Sequence, residues 1–484
     1  MIRPMKNAIH AALAAALLAA GPARAGELQD DLAARRARLA QKLGPDTMLV
    51  VQSSPARVYS NDVDYDYRQD SNLYYLTGID QEDTALVMLP GFEALFTLPR
   101  DAAREHREGR RLSRDEAKAR SGVANVLDAA GLEGFLTSVL ERRAYPPRPY
   151  GAPASEAYAR ALAEGRDRVA FAMEPAGLSD PLPPPQALAV RLRDRYPQLQ
   201  VIDAGAALAG LRQVKTPLER ALLVKSVDIS ARAMREAMKA ARPGAFEYSV
   251  RAVLEHEWST AGALGWGYPP IVASGPNATI LHYPRYERQL QAGDLLLIDA
   301  AASYEYLTGD ITRTFPVSGR FTPEQRTIYE LVFAAQEAGI ATAKAGVRAR
   351  DIHEATVRVV KDGLLKLGLI TDAAGDQYRT WYTHGSVHYI GMDVHDVGDY
   401  ERVMEPGSAF VIEPGIYIRE EALDALPPTA ENKAFAEKVR GAVRKFKDVG
   451  VRIEDSFLLG DGGLQNLSAG APRGVAEVEA LLAR

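Results

Sequence analysis

Four acidic residues stand where a dry sheet should exclude them. Asp299 ends the apolar run Leu295-Leu296-Leu297-Ile298, which reads as a strand buried on both faces. Glu413 follows Ala409-Phe410-Val411-Ile412, and Glu454 follows Val449-Gly450-Val451-Arg452-Ile453 just ahead of Phe457-Leu458-Leu459. Asp310 lies 11 residues beyond Asp299, past a turn marked by Gly309, and such a hairpin can set the two carboxylates side by side. An ionised carboxylate in these surroundings costs many kcal/mol unless it is paired or bound to a cation. Plainer readings exist for each: a turn cap, a Glu413-Pro414-Gly415 turn, or a pair between Glu454 and Arg452. Three or four such placements in one half of the chain favour a bound cation.

The histidines point the same way. Of the chain's eight, His384, His388 and His395 fall within 12 residues. Neutral imidazole is the commonest metal ligand and titrates near neutrality. Asp299, Asp310, Glu413 and Glu454 carry four negative charges, which two divalent cations would neutralise, and His388 completes a five-ligand set. With no cysteine in the chain, any metal is held by Asp, Glu and His alone. Oxygen-rich ligation with one imidazole suits Mn²⁺, and Co²⁺, Fe²⁺ or Zn²⁺ also fit. A pair of such ions activates a water and stabilises a tetrahedral intermediate, which is hydrolytic chemistry.

The rest of the chain must position these groups. Its 484 residues carry 58 Lys+Arg against 63 Asp+Glu, a net charge of -5 that offers no attraction to nucleic acid. Apolar residues at 47% and charged ones at 25% describe ordinary globular domains. The amino terminus reads as an export signal over residues 1–25. Arg3 and Lys6 precede an apolar stretch of 13 residues, Ala8 to Ala20, followed by Gly21-Pro22-Ala23-Arg24-Ala25 with its Ala-x-Ala cleavage pattern. The expected mature chain is therefore exported, periplasmic or secreted, with no membrane segment.

A mixed α/β domain is expected over 27–208. Ala85 to Leu89 and Ala94 to Leu98 flank Pro90-Gly91 as adjacent strands, and Arg168 to Ala172 and Leu199 to Asp203 alternate with helical stretches. Tyr145 to Pro153 and Pro181 to Pro185 are loops by composition. A second domain, 209–484, opens with Thr216-Pro217-Leu218-Glu219, a capping box that predicts a helix to about Ala241. Thr322-Pro323-Glu324-Gln325 repeats the device for a helix ending near Gly346, and Asp351 with Glu354 starts a third. Strand character fills Asp294 to Leu307, Asp310 to Val317, Ser408 to Ile418 and Val449 to Leu459. The fold class is α+β.

These motifs together resemble the pita-bread metallopeptidases, specifically the proline-directed branch containing aminopeptidase P and prolidase. The matching stretches are Ile280-Leu281-His282-Tyr283, Leu297 to Ala300, Gly309 to Pro316, His384 to Gly398, Ile412 to Tyr417 and Val451 to Asp455. Tyr67 to Gly78 is similar to the accessory domain of the same family. The resemblance implies that Asp299, Asp310, His388, Glu413 and Glu454 ligate two metal ions. By the same resemblance Glu413 takes the proton of the attacking water, and His282 and His395 stand near the scissile bond. His384 and Tyr417 would surround a proline pocket, and Arg452 would orient a ligating carboxylate.

The implied activity is hydrolysis of the amino-terminal Xaa-Pro bond of peptides with proline second, by a homo-oligomer, dimer or tetramer. A dipeptidase acting on Xaa-Pro is the alternative, and a non-catalytic peptide-binding module a remote one. Three features depart from the aminopeptidase P pattern. Glu105-His106-Arg107-Glu108-Gly109 lacks the usual aromatic, Val387 replaces Gly or Ser before His388, and Arg419 to Lys447 forms a charged insertion of a kind common in prolidases.

Overall fold

Side-chain caps fix where the long helices of the second half begin. The computed structural model describes residues 25–142 and 155–483. The expected leader, Ala25 apart, and the Pro-rich stretch Tyr145 to Pro153 lie outside them. The described residues form two compact units that divide between Leu211 and Arg212.

The first unit is built on a six-stranded mixed sheet. In spatial order its strands are Asn125–Asp128, Phe92–Thr97, Ala85–Leu89, Thr47–Gln52, Arg168–Phe171 and Gln200–Asp203. The Pro90-Gly91 turn joins an antiparallel hairpin, with Leu89 opposite Phe92. Helices cover the sheet through a core that includes Met48, Val50, Val87, Phe96, Phe135 and Phe171. The helix Pro184–Arg195 begins within the Pro-rich stretch, because proline at the first helical position lacks only an N–H that the helix would leave unbonded.

In the second unit, Thr216 accepts from Glu219 N while the Glu219 side chain accepts from Thr216 N, opening the helix Pro217–Ala240. Thr322 and Gln325 do the same for Pro323–Thr342, which stops four residues short of Gly346. The third helix runs Ala349–Lys366, with Asp351 capping from inside its first turn.

The two runs that end in glutamates are each broken where the acid stands. Ala409–Ile412 pairs with Asp455–Gly460, whereas Gly415–Ile418 pairs with Val449–Arg452. Each chain therefore changes partner, one at Glu413-Pro414 and the other at Ile453-Glu454. Pro414 has no N–H to continue a ladder, and the backbone N–H groups of Glu413 and Glu454 donate instead to Ser386 O and Thr312 O. Likewise Asp294 to Leu307 is not one strand: Leu295–Asp299 ends at the acid, and Ala302–Tyr304 with Leu307–Thr308 forms a separate ribbon.

The charged stretch Arg419 to Lys447 is structural. It folds into the helices Glu421–Asp424 and Ala430–Lys445, and the latter buries Phe435, Ala436, Val439 and Val443 in the same core as Ile328, Trp381, Ile416 and Val451. Its charges form an exposed stripe at helical spacing.

Candidate active site

Strand ends from three ladders converge on one acidic cluster. Asp299 is the last residue of Leu295–Asp299, flanked by Ile271 and Thr312 on the neighbouring strands. Asp310 precedes the strand Thr312–Pro316, and Ser456 Oγ fixes it by accepting from Asp310 N and donating to Asp310 O. The turn before it needs Gly309, since a Cβ there would lie 2.5 Å from Val227 Cγ2.

His388, Asp310 and Glu454 offer ligand atoms that all lie within 4.8 Å of one another. His388 Nε2 is 3.6 Å from Asp310 Oδ2, 3.6 Å from Glu413 Oε1 and 3.8 Å from Glu454 Oε1. Asp299 joins the group through Tyr268, whose hydroxyl bonds Asp299 Oδ1 at 2.6 Å and also meets Asp310 Oδ1. The five expected ligands are thus brought together. Tyr268 was not among the sequence candidates.

The electrostatics of the cluster favour a cation. Burial, then Glu454 and Asp299, push the Asp310 carboxyl well above its usual range. Burial and Glu454 do the same to Glu413, and burial with Asp299 carries Glu454 to about 8. Glu454 Oε2 accepts from Thr312 Oγ1 at 2.7 Å, but its buried Oε1 receives no hydrogen bond. His388 donates from Nδ1 to Tyr389 O at 3.1 Å, which leaves the Nε2 lone pair facing the three acids. Burial, with the nearby His395, lowers His388 to about 4, so it is neutral at pH 7. Hard oxygen donors, one free imidazole nitrogen and an undonated buried oxygen together fit divalent metal.

Arg452 pairs with Asp299 and not with Glu454. Its guanidinium donates to Asp299 Oδ2 at 2.6 Å, to Thr312 Oγ1 at 3.1 Å and to the Tyr417 hydroxyl at 2.7 Å. Tyr417 in turn lies 2.8 Å from His384 Nε2, and His384 Nδ1 lies 2.7 Å from Gly385 O. Nδ1 therefore carries the proton, Tyr417 donates to Nε2, and one ordered chain runs from His384 through Tyr417 and Arg452 to Asp299. Burial, reinforced by the Arg452 charge, lowers His384 to about 3.

The remaining two histidines stand at the mouth. His395 is exposed, yet its ring lies 4.2 Å from that of His388. His282 is exposed as well. Four clustered acids at apolar strand ends, a buried imidazole facing them and two exposed imidazoles fit a hydrolytic metal centre.

Known proteins are similar to this chain in sequence and fold. The metallopeptidase family M24 pattern matches residues 221–461, and that of the aminopeptidase P N-terminal domain matches 32–145. A Xaa-Pro aminopeptidase of Escherichia coli is 33% identical over 93% of this chain and 96% of its own, and one of Haemophilus influenzae is 32% identical over 94% and 97%. Among solved structures, Pseudomonas aeruginosa aminopeptidase PepP superposes with a TM-score of 0.78 at 34% identity, covering 94% of this chain and 98% of that one. Escherichia coli aminopeptidase P with the inhibitor Pro-Leu gives 0.78 at 30% identity over the same shares. The fold and site define a hydrolytic metalloenzyme of the pita-bread class. The chain belongs to metallopeptidase family M24, with the N-terminal domain of aminopeptidase P ahead of its peptidase domain.

Proposed function

We propose that the chain is a Xaa-Pro aminopeptidase that removes the residue before proline from peptides, working with two divalent ions, best satisfied by Mn²⁺. The convergence of Asp299, Asp310, His388, Glu413 and Glu454 on one buried cluster carries this reading. Bound there, the ions would supply Lewis acidity and lower the pKa of a water.

The chain's own groups do the rest. Glu413, whose carboxyl is held high by burial and by Glu454, is suited to accept the proton of the attacking water. His282 and His395, at the exposed rim, face the peptide where charge develops at the scissile bond. His384 and Tyr417 present a ring-lined, dry surface for proline, whose tertiary amide has no N–H to satisfy. Arg452 keeps Asp299 ionised and oriented.

The leader pattern of residues 1–25 supports export to the periplasm or beyond, and the family likeness supports a homo-oligomer, dimer or tetramer. Purified mature chain with Mn²⁺ should cleave Xaa-Pro-Xaa tripeptides and spare Xaa-Ala-Xaa controls. Preference for the free dipeptide Xaa-Pro over the tripeptide would instead assign a dipeptidase.

A further inference from the structure

A cluster of charges lies next to His388 and His395, outside the chemistry assigned so far. The Asp396 side chain is 1% exposed, and two cations bracket it: Arg212 donates to Oδ1 at 2.5 Å and Lys215 to Oδ2 at 2.9 Å. Lys215 Nζ also donates to Arg212 O at 2.7 Å, and Arg212 reaches Asp393 Oδ2 at 2.6 Å. Burial pushes the Asp396 carboxyl up, but Lys215 and Arg212 together hold it below the usual range.

Every strand of this cluster leads to the site. Asp396 directly follows His395, and its N–H donates to Tyr389 O at 2.9 Å, the carbonyl next to His388. The residues after the two histidines are therefore hydrogen-bonded to each other, which sets the rings 4.2 Å apart. Gly391 closes the loop where no side chain fits: a Cβ would lie 2.8 Å from Lys215 Nζ and overlap the Asp396 carboxylate. Gly391 O accepts from Thr308 N at 2.7 Å, two residues before Asp310, and Lys215 N donates to Gly407 O at 2.9 Å, ahead of the strand leading to Glu413.

Stability alone is a poor explanation. Withdrawing ions from water costs several kcal/mol each, and well-packed apolar side chains hold a buried segment equally well or better. An ion cluster whose two carboxylate oxygens are assigned to different cations supplies fixed orientation, and reacting groups need placement within about 0.5 Å and 10–20°.

We propose that Arg212 and Lys215 are positioning residues for His395: by clamping Asp396 they fix the loop 388–396 that sets His395 against His388. The proposal rests on His395 acting at the scissile bond. In the full-length, metal-loaded protein, Lys215→Met is expected to lower kcat on a Xaa-Pro-Xaa peptide by roughly 10–100-fold, the usual cost of losing an outer-shell partner. KM and bound metal should stay within about twofold, and Asp396→Asn should behave alike if Lys215→Met folds poorly. In a His395→Ala background the same substitutions should cost less than about twofold, since the group they position is gone. In ¹³C-histidine spectra of the Zn²⁺-loaded protein, the His395 signal should move and that of His282 should not. Equal losses in both backgrounds, or turnover falling only in step with metal and folded fraction, would overturn the proposal. Full turnover by His395→Ala alone would remove the chemical role of His395, and an unmoved His395 signal in Lys215→Met would then remove the clamp as well.

Discussion

Arg452 donates to Asp299 Oδ2 at 2.6 Å, and this ion pair sorts the four clustered acids into two kinds. Burial pushes Asp299 up, yet the Arg452 charge, followed by the Tyr268 hydrogen bond, holds it below its ordinary value. Asp310, Glu413 and Glu454 face one another with no Arg or Lys among the described residues in direct ion-pair contact, and all are raised even though the Arg452 charge offsets part of the rise in Glu413 and Glu454. One carboxylate is held ionised by the protein, and the other three wait on cations.

Stability without metal should therefore depend on pH with a definite sign. Glu454 titrates at about 8 in the fold against 4.5 unfolded, and Asp310 and Glu413 shift the same way. The folded chain then holds more protons than the unfolded one, and stability falls as pH rises. His384 and His388, lowered to about 3 and about 4, act oppositely, but only below their ordinary 6.5. Toward pH 8 that opposition, shared by the lowered His353 and His395, fades while Glu454 still holds its proton, so the melting temperature of metal-stripped protein should drop between about pH 7 and 8. Added Mn²⁺ should raise it more at the upper end of that window, and a metal-free melting temperature that climbs across it would contradict the assignment.

Asp299→Ala and Glu454→Ala should each lower turnover by more than about 100-fold, since even outer-shell losses cost 10–100-fold. Circular dichroism should show the fold retained in Glu454→Ala, which removes an acid that burial makes costly, whereas Asp299→Ala also leaves the buried Arg452 guanidinium unpaired and should lower the melting temperature as well. Wild-type turnover by either variant, fully loaded with metal, is the result the site cannot accommodate.

Tyr268→Phe tests the bridge between Asp299 and Asp310. Losing one hydroxyl that bonds both carboxylates should weaken Mn²⁺ binding by roughly 10–100-fold, as outer-shell losses do, with the fold unchanged. Calorimetric titration of the metal-stripped variant gives the number, and an affinity equal to wild type would show that the bridge does not orient the acids.

Phe435→Ala asks whether the charged stretch Arg419 to Lys447 is an appendage. Phe435 is 5% exposed within the main core of its unit, and truncating such a side chain costs about 3–5 kcal/mol. Denaturant unfolding should show that loss, and an unchanged midpoint would mean the helix packs on nothing essential.

The clustered acids are legible because an acid inside an apolar run has few bland explanations, and the long helices because Thr216 and Thr322 advertise their own caps. Strand breaks were not: Ser408 to Ile418 reads as continuous because hydrophobicity does not record that Pro414 ends one ladder and starts another. Arg452 stood two residues from Glu454 in sequence, but its partner is Asp299, across the neighbouring ladder. Tyr268 sits in Gly267-Tyr268-Pro269-Pro270, a segment without period, and bonds residues 31 and 42 positions away. Arg212 and Lys215 reach Asp396 over 184 and 181 positions. Pairings at such separations leave no local mark, since side-chain type fixes what a group can bond but only the fold decides which group it meets.

The most direct measurement is to strip the purified chain of metal and add Mn²⁺ stepwise, following bound ions and Xaa-Pro-Xaa cleavage together. Activity should be absent at the start and reach its plateau as occupancy approaches about two ions per chain. Full turnover in protein that carries no bound cation would contradict the account at its root.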